Sequence, residues 1–417
     1  MSYPITLTVT VDFSNGATFG IPFTIGDPVN GILGTSTLGD STSGTLTVNV
    51  TNQIGNISVK GGYNLLQDQF EAAQATVRIY DQTGIWNPDN PSSPYYGKLI
   101  PNRKIRISAT YGGNTYYVFS GYTSAFNYSY PKNQELGYVD ISAADAFRLF
   151  NLSNVTTIAG TSAGQTTGAR LSNILNQISF PLTMRSIDTG DSLVQVDPGT
   201  ARTSLQAMKN VEFSEQGAFY ISGEGNAIFK SRSTVQKMSG GAVTYFSNAG
   251  DGINYFNITT ALDDKLVINQ ANITALSGVT QTATDATSIA TYFPHTYNQP
   301  NLVVQSDTEA LNIAQAYVAT RKDTTLRIDN LVLDLATPDY NAGITAALSL
   351  DYFNVVKIKN VQQGTTYIEK TLQVVGVAHE ITPTDWRTSF TTSEPIIEAF
   401  IIGNSTYGII GQSIMTY

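Results

Sequence analysis

The feature that most constrains this chain is a recurring alternation of apolar and polar residues with a period of two. Ile5, Leu7, Val9 and Val11 alternate with Thr and Asp. Leu46/Val48/Val50, Ala75/Val77/Ile79 and Ile105/Ile107/Ala109 repeat the pattern. Successive side chains on a strand point to opposite faces, so each stretch buries one face and leaves the other wet. Such a chain must fold into sheets whose apolar faces meet. Composition agrees. Charged residues make up only 13%, against a usual share of about 25%. Thr, Asn, Ser, Gly and Gln take their place, with 23 Tyr and 18 Phe. Tyr and Thr suit a pleated, half-buried surface. A surface poor in charge and rich in aromatics also fits one covered by partners.

Several function classes are excluded or disfavoured. With no cysteine there is no disulfide framework, thiolate zinc site or Cys nucleophile. Net charge is −9 and no Lys/Arg cluster exceeds the stretch 103–106, so no specific nucleic-acid binding is expected. The N-terminus lacks the pattern of a signal peptide, and no apolar run is long enough to span a bilayer, so no membrane anchoring is expected. A soluble protein made in a cytoplasm and then assembled is the expectation.

The chain divides by pattern into 1–155, 156–238, 239–395 and 396–417. In the first part, Tyr111-Gly112-Gly113-Asn114 reads as a hairpin turn. Residues 86–94, with Pro88, Pro91 and Pro94, cannot join a ladder and must form a structured loop. In the second, Thr166 or Thr167 can cap a helix burying Leu171, Ile174, Leu175 and Ile178. Thr203 with Gln206 makes a capping box for another helix, with Leu205 and Met208 buried and Gly217 as its C′ residue. A compact hairpin follows over 218–229. In the third, Ser306 and Glu309 form a capping box for a helix running to Arg321. Strands follow near 331–335, 355–358, 372–377 and 386–391. The fold class is therefore mainly β with an α+β insert, a small helix-helix-hairpin domain.

Residues 23–40 and 400–417 are related. Seven of eighteen positions match, among them Phe23/Phe400, Ile25/Ile402 and Ile32/Ile409. Each copy is expected either to dock on a sheet edge, in the same or a neighbouring subunit, or to be simply a similar turn.

Chemistry is sparse. The two histidines, His295 and His379, fit no compact metal motif and read as hydrogen-bonded structural residues. Asp263/Asp264 and Asp188/Asp191 are the tightest carboxylate pairs, but neighbours on a strand diverge and turn residues of this kind are usually solvated. Gly61-Gly62 and Gly223-Glu224-Gly225 open no helix, so neither is a phosphate loop. No catalytic residue, metal or cofactor is expected.

Several segments, in order across about residues 70–390, resemble the siphophage minor tail proteins and the tailed-phage baseplate hub proteins. They are the strand and loop from Ala75 through Asn90-Pro91-Ser92-Ser93-Pro94-Tyr95-Tyr96-Gly97 to Leu99, the strands at 117–122 and 139–145, and the helix 170–178 followed by 187–190. The hairpin over 207–229 and the closing pair Gly376 to Thr388, with Ile381-Thr382-Pro383-Thr384-Asp385-Trp386, complete the set. The most specific segments are 90–97 and 381–386. The resemblance implies a homotrimeric hub at the tail tip of a virion, with two tube-like β-barrel domains per subunit, so that three copies offer six barrels to a six-fold tube. The implied partners are the tail tube or distal tail protein, the tape measure and fibre proteins. On this view Trp86, Pro91, Tyr95, Tyr96 and Trp386 are architectural or interface residues, with Phe400, Ile402 and Ile409 in the repeat. The chain ends at Tyr417 without a hydrolase or fibre domain, so no lytic activity is expected. The alternatives are a carbohydrate-binding or carbohydrate-active β-protein of a host-recognition device, and a surface adhesin.

Overall fold

The computed structural model describes residues 4–19, 47–133, 136–336, 341–362 and 366–394. Phe400, Ile402 and Ile409, and both copies of the repeat, lie outside the described residues.

The first strands are β1 (Thr6–Asp12), β2 (Thr47–Asn49), β3 (Ile54–Asn64), β4 (Gln69–Tyr80), β5 (Lys104–Tyr111), β6 (Asn114–Ser129) and β7 (Tyr138–Ala144). The insert follows as α1 (Phe147–Leu152), β8 (Asn154–Val155), β9 (Gln165–Thr166), α2 (Thr167–Gln177), β10 (Arg185–Ile187), β11 (Leu193–Val194), β12 (Arg202–Thr203), α3 (Ser204–Glu215), β13 (Ala218–Ile221), β14 (Ala227–Lys230) and α4 (Arg232–Met238). The chain continues through β15 (Val243–Ser247), β16 (Asn257–Ala261), β17 (Gln270–Ala275), β18 (Gln281–Thr284), α5 (Ala286–Tyr292), β19 (Thr296–Leu302) and α6 (Asp307–Arg321). It closes with β20 (Arg327–Asp334), α7 (Asn341–Ser349), β21 (Val355–Val361), β22 (Tyr367–Ile381) and β23 (Trp386–Ser393).

The period-two stretches do what their pattern demands. Val9, Val11, Val77, Ile79, Ile105, Ile107, Val139 and Ile141 all face one core, each essentially without exposure. Strands from both ends of the sequence share it, because they form one sheet. Its order is β16-β20-β23-β22-β3-β4-β7-β6-β5-β1-β2, with β21 and β15 branching from β22. Among the described residues this path does not close on itself: it ends at β16 and β2. The halves meet where Gly376–Ile381 of β22 pair antiparallel with Ile57–Gly62 of β3. Both strands bulge beside this seam, at Lys60/Gly62 and Val374/Gly376. A Cβ on Gly62 (φ +153°) would lie 2.5 Å from the Gly376 Cα, so only glycine permits the approach. Gly61-Gly62 thus has a structural purpose.

On the outer face polar side chains pair across strands. Arg78 on β4 grips Asp140 on β7 with two bonds of 2.7 Å, and Ser58 donates to Glu380 at 2.6 Å. The turn between β5 and β6 uses Gly112 and Gly113 at φ +59° and +82°, the left-handed pair that a two-residue hairpin requires.

The insert forms a second core around Phe147, Phe150, Leu171, Met208, Phe219 and Phe229. Thr166 caps α2 by accepting from the Ala169 N–H, and the Thr203/Gln206 capping box is complete. At the end of α3 the left-handed residue is Gln216 (φ +57°), not Gly217. Gly217 is needed for a different reason: a Cβ there would meet the Lys230 carbonyl at 2.4 Å. The Ser306/Glu309 box is only half made. Ser306 accepts from Glu309 N–H, but the Glu309 carboxylate reaches back to Gln305 N–H.

A third core belongs to a small unit of β17, β18, β19 and α6. It is clasped to the β3–β4 turn by Asp68, a buried residue at φ +52°, whose carboxylate takes two bonds from Arg321 at 2.5 and 2.8 Å. Tyr297, Tyr317 and Phe213 stack beside this pair. No helix among the described residues is long and apolar enough to cross a membrane.

Candidate assembly surfaces

The loop after β4 is built from its own side chains. Asp81 turns its carboxylate back on the chain and accepts from the Ile85 N–H at 3.0 Å and the Trp86 N–H at 2.7 Å. Asn90 donates to the Gly84 carbonyl at 2.8 Å, and the Ser93 hydroxyl donates to the Ile85 carbonyl. These bonds replace the ladder that the prolines forbid. The result drives Trp86 fully into the main core, where Phe13 and Tyr95 pack on it with ring centroids 6.2 and 4.8 Å away. Its indole N–H finds Gln53 Oε1 at 3.1 Å. Burial, and then the neighbouring Asp81 carboxylate, push the Tyr128 phenol up to about 12.

Of the loop residues singled out in the sequence, Trp86 and Tyr95 are therefore core residues. Pro91 and Tyr96 are the ones on the surface, Tyr96 with 55% exposure. Tyr130 stands nearby, its hydroxyl donating to Asn87 Oδ1 at 2.9 Å.

Trp386 opens β23 and is also buried, opposite Ile381 of β22. Its indole N–H points to His379 Nδ1 at 3.3 Å, which lies 3.0 Å from the Thr388 hydroxyl. Burial pulls His379 down from 6.5 to about 4, so the ring is neutral at pH 7.

The carboxylate pairs do not converge. Asp263 faces Arg327 at 2.9 Å, while Asp264 faces His295 at 3.6 Å. Asp188 accepts from the Ser231 N–H, and Asp191 from the N–H and hydroxyl of Ser233. No group of three or more metal-ligating side chains occurs among the described residues.

Sequence pattern did not mark β16 as an open end of the sheet. Among the described residues it pairs only with β20; it reads Asn-Ile-Thr-Thr-Ala without a charge, and bulges at Thr259/Thr260. Phe256 and Leu262, 57% and 68% exposed, flank it. Edge strands are usually guarded by charge, proline or cover; among the described residues this one has its bulge and the Arg387 guanidinium 4.9 Å over the Phe256 ring. Only the fold reveals it, because strand order is set by tertiary pairing and not by local pattern.

One mainly antiparallel sheet, a helix-helix-hairpin insert and a small clasped unit together make up the fold. The tail protein from Neisseria meningitidis MC58 shares it at 10% identity and a TM-score of 0.56, over 94% of this chain and 97% of that one. So does the 43 kDa tail protein of prophage MuSo2 from Shewanella oneidensis, at 12% identity and a TM-score of 0.54, over 84% of this chain and 96% of that one. At such identities the likeness is one of fold. No protein-family model and no curated protein matches the sequence.

Proposed function

We propose that this chain is a non-enzymatic structural protein of a tailed-phage virion, a minor tail or baseplate hub protein that works at the tail tip as a homotrimer. The observation that carries the reading is the end-to-end likeness of fold to two tail proteins. The open β16 edge supports assembly: among the described residues no strand pairs its outer side, and an edge between exposed Phe256 and Leu262 is suited to a neighbouring chain. The strands of 1–155 and 239–395 serve as the two tube-like units of each subunit. The tube, tape measure and fibre proteins are the proposed neighbours, with synthesis in the host cytoplasm and Tyr96 and Pro91 available on the surface. The carbohydrate-active reading has no support from Asp188, Asp191, Asp263 or Asp264, each engaged separately.

The test is light scattering of the purified chain together with electron microscopy of tail tips. A three-fold particle in both is expected. A monomer at every concentration, and no matching density at the tip, would overturn the reading.

A further inference from the structure

A cleft of about 490 Å³ lies between the main sheet, the β13–β14 hairpin and the segment joining α7 to β21. That volume is within the range of ligand sites. Val59, Ala73, Ile221, Ile228, Leu350 and Val377 give it apolar walls.

Its floor holds two polar side chains, each with one atom that no described residue bonds. His379 and Tyr352 line the cleft and are only 5% and 8% exposed. An indole N–H can only donate, so the Trp386 contact makes His379 Nδ1 an acceptor. The neutral ring then carries its proton on Nε2, which meets no acceptor among the described residues. The Tyr352 phenol lies against Gly61 and likewise makes no hydrogen bond, the residue's side-chain neighbour Asp351 being bonded only to its backbone N–H. Both residues line the cleft, so these two donors are free to bond whatever occupies it.

The rim has the opposite character. Glu224 and Asp351 are exposed there. Each has one oxygen engaged, by Asn226 Nδ2 at 3.0 Å and by the Tyr352 N–H at 2.8 Å, and one oxygen open. No Lys or Arg lines the cleft. Arg106 stands behind the hairpin tip, donating to the Glu224 carbonyl and the Ser120 hydroxyl between the rings of Phe19 and Tyr117. Asp145 also lines the cleft, but both its oxygens are held by the N–H groups of Ala73 and Phe147.

We infer that this cleft binds a short basic peptide segment of a partner protein. Its Lys or Arg sits between Glu224 and Asp351, and a carbonyl of the same segment accepts from His379 Nε2 and the Tyr352 hydroxyl. A free polyamine would answer the rim and leave the floor donors unpaired. An anionic ligand would meet two carboxylates on entry. The inference is independent of the tail-tip reading, since the described residues that line the cleft all belong to one chain.

The test is equilibrium dialysis of the full chain with three probes: acetyl-Lys-Gln-Lys-amide, acetyl-Glu-Gln-Glu-amide and spermidine. Retention of the basic peptide alone, weakening with salt, is expected. The exposed double variant E224Q/D351N should bind it about fivefold more weakly with unchanged thermal stability. H379Q should weaken the peptide, whose carbonyl it no longer meets in the same geometry, while leaving salt dependence intact. Equal retention of both peptides, retention of spermidine as strong as that of the basic peptide, no retention of any probe, or an E224Q/D351N variant that binds normally would each overturn the inference.

Discussion

The two tryptophans sit in comparable pockets and are held there by different means. Trp86 and Trp386 are both buried, and each indole N–H has an acceptor. Trp386 stands on a strand, where the β22–β23 ladder fixes its backbone. Trp86 stands in a segment with no ladder, where Asp81, Asn90 and Ser93 tie the chain to itself. The difference teaches that an irregular loop can be as well determined as a strand, but that its order rests on a few side chains, whereas a strand's order is spread along its length.

The largest test removes the rings. Trp86→Ala and Trp386→Ala should each cost about 3–5 kcal/mol in denaturant unfolding. If Trp86→Ala cost less than about 1 kcal/mol, the loop would be a surface feature and the comparison would fail. The second test uses pH and bears on the strand site alone. His379 is depressed from 6.5 to about 4 in the fold. The folded state thus binds fewer protons, and the histidine's contribution is full above pH 6.5 and lost as pH falls toward about 4, by roughly 3 kcal/mol. Asp145 acts in the opposite sense, because burial pushes it up to about 7. The quantity to measure is therefore the difference in unfolding free energy between the native chain and H379Q, which should change sharply between these pH values. A difference flat with pH would show that the ring is not held neutral. The smallest effect is expected from Asp81→Asn, which leaves one loop N–H without an acceptor at a cost of about 1–3 kcal/mol. Hydrogen exchange should then accelerate across 82–100 while the β22–β23 amides keep their protection. Equal acceleration in both would mean that the loop is no separate unit.

How much of this was legible in the sequence follows from the range of the forces involved. Alternation at 5–11, 75–79 and 105–109, the cap at Thr166, the Thr203/Gln206 box and the Gly112-Gly113 turn are local, and the structure matches them. The left-handed residue at Gln216 was missed because Gly217 looked like the natural candidate, while the Lys230 carbonyl had already claimed the glycine. The short helices α1, α4 and α7 and the three-stranded unit lack a long apolar stripe and take their definition from tertiary packing. That residues 86–94 form a structured loop was legible from their prolines, but not the Asp81 anchor, since a lone aspartate before a loop has many ordinary uses. The cleft was invisible: Tyr352 and His379 are 27 positions apart, and Glu224 comes from another unit.

The pairing of β22 with β3 has a consequence in time. Ser58 meets Glu380 across 322 positions, a stretch that a ribosome adds in on the order of 15–60 s. Throughout that interval the first half of the sheet exists with its central strand bare on one side, available to any other nascent chain. Slow translation, crowding on one messenger or truncation before residue 376 should all convert that waiting strand into an aggregation hazard, whereas mature protein, with the gap filled, should be indifferent to them.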